Sequence, residues 1–175
     1  MPAAWNARPR TPSTPTYEAY MPEKIPTVRR TATRTRIALV GTMATPWRSN
    51  IAPHLEAVGL AVVMNTDARW LNATTALKKR PLLEQDLRIM RDADLILWHY
   101  DAAGGRTAGI ELGILTQIGP PVIVHIDQDA HREFRAYVHA LTMLFPKTLH
   151  WVETFDEAVD LAEIMTAPEE EAVIN

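Results

Sequence analysis

The 175-residue chain contains no cysteine. That absence removes disulfides, thiol nucleophiles and zinc–thiolate sites together, and a cytoplasmic protein is the expectation. No run of 18 or more apolar residues occurs, so no membrane span is expected. The opening MPAAWNARPR lacks the apolar centre of a secretory signal. Its Arg- and Thr-rich, acid-poor character loosely suits an organellar transit peptide, but the frequent prolines argue against a helical one. The six histidines show neither HxH nor HExxH spacing, so no metal site is expected. GTMAT and AAGGRTAG fit neither GxGxxG nor a P-loop. Nicotinamide and ATP-motor chemistry are set aside, and no cofactor is expected.

The net charge of −3 conceals an asymmetry. Residues 1–36 carry seven Arg or Lys against two Glu, and the remainder is acidic. The acidic part is a poor candidate for gripping nucleic acid. The basic stretch reads as a solvated arm, with contact to a polyanion as the alternative. Residues 1–34 hold six of the 13 prolines, interspersed with Thr and Arg, a composition that builds no core. The expected organisation is a tail over 1–34, one domain over 35–165 and an acidic tail over 166–175.

From residue 36 the chain alternates. RIALVG (36–41), LAVVMN (60–65), LILWHY (95–100), PVIVHI (121–126) and TLHWV (148–152) read as strands. LILWHY, apolar at nearly every position, suits a parallel strand covered on both faces. Between the strands lie four helical segments: IAPHLEAVG capped by Ser49 or Asn50, PLLEQDLRIMRD with Pro81 at its start, TAGIELGILTQIG capped by Thr107, and HREFRAYVHALTML. TFDEAVDLAEIM, capped by Thr154, closes the domain. Pro53 is read as a first-turn proline, and 66–80 as a fifteen-residue loop able to act as a lid. The alternation predicts a flavodoxin-like α/β fold, a five-stranded parallel sheet of order 2-1-3-4-5 with helices on both faces. Its switch point lies between the first and third strands. Ligands bind there, at the carboxyl ends of the strands, so the loops 41–50 and 101–107 line the expected crevice.

Glu111 is the one charged residue between Ala108 and Ile118. It shares a helix face with Leu115 and Ile118, and Ile110 and Ile114 take the adjoining face. With almost no polar stripe, most of this helix should be covered. A carboxylate there is desolvated unless it faces a cavity; the alternative is an acid that complements the helix dipole. Gly109 and Gly113 lie on one face and cost about 1 kcal/mol each against alanine. Either a ligand or a packed neighbour should approach that face closely.

DADLILWHYD, followed by GIELG and then GPPVIVHI, resembles the nucleoside 2-deoxyribosyltransferase superfamily. That pattern is a strand ending in Asp, a glycine loop, a helix carrying E-[LI]-G, and a strand after GKPV. GTMATPWRSN, MNTDARW and LLEQDLRIMRDAD are most similar to the branch described only as deoxyribosyltransferase-like. The resemblance covers about residues 36–126. It implies that Glu111 is a nucleophile that attacks the anomeric carbon and forms a glycosyl ester, the retaining double displacement of glycosidases. It implies that Asp101 contacts the nucleobase and helps to protonate it; otherwise Asp101 is the turn-forming Asp of DAAGG.

One departure stands out. Many members carry an Asp six residues before the nucleophile, and here that position is Gly105. Contacts to the sugar hydroxyls, and hence the 2-deoxy preference, do not carry over. Arg106, with the amides of Gly104 and Gly105, suits a phosphate or is a solvated loop arginine. Gly41, Thr42, Met43 and Trp47 fall where the family packs residues against the base, although Trp47 reads equally as a core or interface side chain. Asn65, Asp67 and Trp70 either close over the site or cap the sheet. His99, inside a strand, reads as a packed core histidine. The implied partners are a nucleoside or nucleotide, a free nucleobase, and further copies of the chain. Trp151, Phe134 and Tyr137 either contribute to that assembly or are ordinary core. Two other functions stay open: an N-glycosidase of nucleoside 5′-monophosphates, with water as acceptor, and a non-catalytic domain that senses a nucleotide.

Overall fold

The computed structural model describes residues 34–43, 45–64, 72–104 and 106–167. Among them, five strands, β1 (Arg36–Gly41), β2 (Ala61–Met64), β3 (Leu95–Tyr100), β4 (Val122–Ile126) and β5 (Leu149–Val152), alternate with five helices. The helices are α1 (Trp47–Ala57), α2 (Ala76–Arg91), α3 (Arg106–Ile118), α4 (Arg132–Leu144) and α5 (Phe155–Thr166). The sheet has the expected order, β2-β1-β3-β4-β5, and every pairing is parallel. No helix of the described residues is long and apolar enough to cross a membrane.

The period of two along each strand divides the core into two layers. Ala38, Val40, Ile96, Trp98 and Val124 turn toward Met90 of α2, Leu112 and Leu115 of α3, and Val138 of α4. Ile37, Leu39, Leu97 and Ile123 turn the other way, onto Ile51 and Leu55 of α1 and Ala158, Ala162 and Met165 of α5. Full burial of each such aliphatic side chain contributes about 1.5–3 kcal/mol. At the carboxyl end of the sheet, Gly41 pairs with His99 and His99 with His125, forming one row across the three central strands.

Two helices begin earlier than their proline and cap signals predict. Pro46, not Ser49 or Asn50, precedes the first residue of α1, which puts Pro53 inside the helix rather than in its first turn. Likewise, α2 starts at Ala76 under a Thr75 cap that accepts from the Lys78 amide, with Pro81 internal. The last part of the expected fifteen-residue loop is therefore helical. An internal proline orphans the carbonyl four residues back; here these belong to Ser49 and Leu77, both exposed residues, so the lost bond is not a buried one. Thr154 caps α5 as expected, accepting from the Glu157 amide at 3.1 Å. Thr107 falls within α3, not at its cap.

Candidate active site

The turn after β1 is fixed by its glycine. Gly41 has φ +114°, and a Cβ there would lie 1.9 Å from the His99 carbonyl oxygen. That carbonyl accepts from the Thr42 amide at 2.9 Å, and Thr42 Oγ1 accepts from the Asp101 amide at 3.3 Å. The loops that leave β1 and β3 are thus tied together at the switch point.

The first turn of α1 staples the end of β1. Arg48 is buried, and its guanidinium donates from Nε to the Leu39 carbonyl at 3.2 Å, from Nη1 to Thr42 at 2.5 Å and from Nη2 to Gly41 at 2.9 Å. Trp47 Nε1 donates to the same Thr42 carbonyl at 2.7 Å. The Trp47 ring packs in the core against His99 and Phe155. Burial lowers the Arg48 pKa to about 10, while Glu111, Asp86 and Asp101 oppose the shift. The group therefore stays cationic at neutral pH, with three carboxylates in its field.

Glu111 is half-buried in the second turn of α3, beside buried Ala108, Leu112 and Leu115. Burial raises its pKa to about 7; Asp86 adds to the rise and Arg48 opposes it. Asp86 reaches this neighbourhood because it lies on the inner stripe of α2, four residues from buried Leu82 and four from buried Met90. Arg48 and Asp86 act electrostatically on Glu111 and were not singled out in the sequence. Asp86 carried the same signal as Glu111, a carboxylate on an apolar stripe; Arg48 carried none.

Asp101, only 4% exposed, follows β3 directly. Its Oδ1 accepts from the Ala103 amide at 2.9 Å, and its backbone carbonyl accepts from the Gly104 amide at 2.9 Å, so it does form the DAAG turn. Its other oxygen, Oδ2, accepts from Thr45 Oγ1 at 2.5 Å and lies 3.6 Å from His99 Nε2. Gly104 is required by packing, since a Cβ there would come within 2.3 Å of the Tyr100 ring. Tyr100 Oη in turn donates to the Gly104 carbonyl at 3.0 Å. Met43 is half-buried beside Thr42. Asn65, Asp67, Trp70 and Gly105, and the side chain of Arg106, lie outside the described residues.

Two expectations for α3 need correction. A close neighbour exists at Gly109, where a Cβ would lie 3.4 Å from Phe134, but nothing lies within 4 Å at Gly113. Nor is the helix covered around most of its circumference: Ile110 is 65% exposed in the single chain. Among the described residues, nothing covers α3 at Ile110.

His99 is the packed core histidine expected, and it has a buried partner. Its Nδ1 lies 2.9 Å from Nδ1 of His125, with ring centroids 5.0 Å apart and planes 15° apart. The centroid distance exceeds the nitrogen distance by about two imidazole radii, so both nitrogens lie close to the line joining the rings. Their in-plane lobes point at each other, the geometry of an N–H···N bond. With Asp127 the pair makes a cluster of metal-ligand type, which adjacent strands assemble from residues 26 apart and which sequence spacing could not reveal. An ion bound by both Nδ1 atoms would have to sit off the axis of each lone pair, so the rings as placed fit a hydrogen bond better than a shared metal.

No known protein-family profile matches the chain, and no curated protein matches it either. Solved structures do. A conserved protein from Enterococcus faecalis V583 superposes with TM-score 0.52 at 12% identity, over 75% of this chain and 99% of its own. A 2-deoxyribosyltransferase from Bacillus psychrosaccharolyticus superposes with TM-score 0.51 at 15% identity, over 72% of this chain and 91% of its own. The chain shares their fold.

Proposed function

We propose that this chain is a nucleoside-processing enzyme that cleaves an N-glycosidic bond through a glycosyl ester on Glu111 and transfers the sugar to a second nucleobase. The observation that carries this reading is the half-buried Glu111 carboxyl, set in an apolar helix with Arg48 in its field. A carboxylate stripped of water is a stronger nucleophile, and the nearby guanidinium favours its charged form. The fold shared with a 2-deoxyribosyltransferase supports the same substrate class.

In the first step, a Glu111 oxygen bonds to C1′ while the C1′–N bond breaks, its electron pair staying on the base. A base leaves poorly as an anion, and Asp101 supplies the proton. In the second step, a nitrogen of the incoming base attacks C1′, the ester bond breaks, Glu111 recovers its carboxylate, and the proton shed by the new base returns to Asp101. The carboxylate supplies the covalent chemistry, and no cofactor takes part. Asn65, Asp67, Trp70 and Arg106 retain their proposed roles around the substrate, together with Thr42, Met43, Gly104 and Gly105. The working assembly is a homo-oligomer with sites near subunit boundaries.

The test is to incubate one nucleoside with and without a different free base. A new nucleoside that forms only with the added base is the expected result. Free sugar released at the same rate in both, above all from a 5′-monophosphate, would replace transfer with hydrolysis. Binding without turnover would leave only a nucleotide sensor.

A further inference from the structure

The proposed chemistry needs Asp101 as an acid before the base departs and as a carboxylate afterwards. Asp101 is almost sealed from solvent, so protein groups must suit both forms. Its two oxygens have different partners. Oδ1 accepts from the Ala103 amide at 2.9 Å, and a backbone N–H can only donate. In a neutral carboxylic acid the carbonyl oxygen is the better acceptor. This fixed donor therefore makes Oδ1 the carbonyl oxygen and places the acid proton on Oδ2. Oδ2 lies 2.5 Å from Thr45 Oγ1. A hydroxyl donates and accepts, and its hydrogen rotates to suit. His99 Nε2 stands farther off, at 3.6 Å, beyond a hydrogen bond.

The chain holds that hydroxyl in place from both sides. Thr45 is half-buried in the connection between β1 and α1, two residues before Trp47. Trp47 and Arg48 fasten the start of α1 to the Thr42 and Gly41 carbonyls. The Thr42 hydroxyl in turn accepts from the Asp101 amide. Branching at Cβ leaves a threonine few directions for its hydroxyl. The loop that presents Thr45 and the strand end that presents Asp101 are therefore tied by two separate hydroxyl contacts, one to the Asp101 backbone and one to its carboxyl.

We propose that Thr45 is a positioning residue that serves both forms of Asp101, accepting from Oδ2–H while the acid waits and donating to Oδ2 once the proton has gone to the base. The inference rests on the reading of Asp101 as the group that protonates the departing base. The step balances. The C1′–N bond breaks with its electron pair staying on the base, and the Oδ2 proton passes to a ring nitrogen of that base. Thr45 keeps its own hydrogen throughout and turns it toward Oδ2, where negative charge develops. A hydrogen bond to an ionised acceptor is about twice as strong as one between neutral groups, so the contact favours the departure of the proton over its retention. When the second base returns a proton to Oδ2, the hydroxyl turns back. Thr45 touches no substrate in this scheme and acts through Asp101.

The test uses leaving groups that differ in their need for a proton. Wild type, Thr45→Val and Thr45→Ser are compared on a nucleoside and on the same sugar bearing 4-nitrophenolate, which departs as a stable anion. Valine keeps the branched shape and removes the hydroxyl; serine keeps the hydroxyl and removes the methyl. Thr45→Val is expected to slow base release by on the order of tenfold or more and to slow 4-nitrophenolate release much less. Thr45→Ser should retain most of the base release. Thr45→Ala, smaller and also without a hydroxyl, should show the same selectivity as Thr45→Val and replaces it if valine does not fit. Equal losses on both substrates, no loss on the nucleoside, or a serine variant as slow as the valine one would overturn the role of Thr45 and leave the proposed function standing. A wild type inert on both substrates is a different result, one that would overturn the proposed function and the role of Thr45 with it.

Discussion

At the scale of residues, the central fact is a carboxyl held where its charge is costly. Glu111 has a pKa near 7 in the folded protein against an ordinary 4.5, so the folded chain holds a proton there that the unfolded chain has released. Stability therefore falls as pH rises from about 4.5 through 7, and the full penalty is present above 7. At about 1.4 kcal/mol per pKa unit, and discounted for partial exposure, that penalty is on the order of 2–3 kcal/mol. Glu111→Gln is predicted to unfold at a higher temperature than wild type at pH 8 and at nearly the same temperature at pH 4.5. The same substitution should lower kcat by about 10⁴-fold or more. In wild type, kcat/KM should fall as pH drops below about 7, because the nucleophile is the carboxylate. A Glu111→Gln protein that is both active and less stable at pH 8 would contradict both halves. Glu111 and Asp101 were legible in the sequence, the first by its isolation among apolar residues and the second by its place at the end of a strand. Arg48 was not, because its role is to bind three carbonyls that only the folded β1 turn gathers. The His99–His125 pair was invisible for a related reason: strand register, not spacing, brings the rings together.

At the scale of elements, the strands were legible almost to the residue, because buried parallel strands are short apolar runs with clear ends. Helix starts were not, since Pro53 and Pro81 are strong local stop signals that exposed carbonyls at Ser49 and Leu77 can tolerate. The apolar circumference of α3 led to an expectation of full cover, whereas Ile110 stands open next to Glu111 and Tyr137 of α4 is 62% exposed. The contact of Phe134 with the Gly109 position brings α3 and α4 together, so these side chains lie on neighbouring helices. Cover from a second copy is the proposed reason for leaving them open. Light scattering is predicted to show a homo-oligomer, and Ile110→Lys to shift it toward the mass of one chain and weaken activity. A monomeric wild type at working concentration, or an Ile110→Lys protein with unchanged mass, would contradict that arrangement.

At the scale of the whole molecule, the order β2-β1-β3-β4-β5 followed from the alternation of elements and right-handed crossovers. It marked the carboxyl ends of β1 and β3 as the expected ligand site before any side chain was located, because ligands bind where strand order reverses. The fold alone admits many chemistries, and what narrows them here is Glu111 in the field of Arg48 and Asp86, with Asp101 across the switch point. The most direct test of that claim is intact-mass measurement after a rapid acid quench. The substrate is a nucleoside whose electron-withdrawing 2′-fluorine slows an oxocarbenium-like second step. The account predicts a gain of one fluoropentosyl group, mapped by peptide fragmentation to Glu111 and absent from Glu111→Gln. An adduct on another residue, or one that persists in Glu111→Gln, would contradict it.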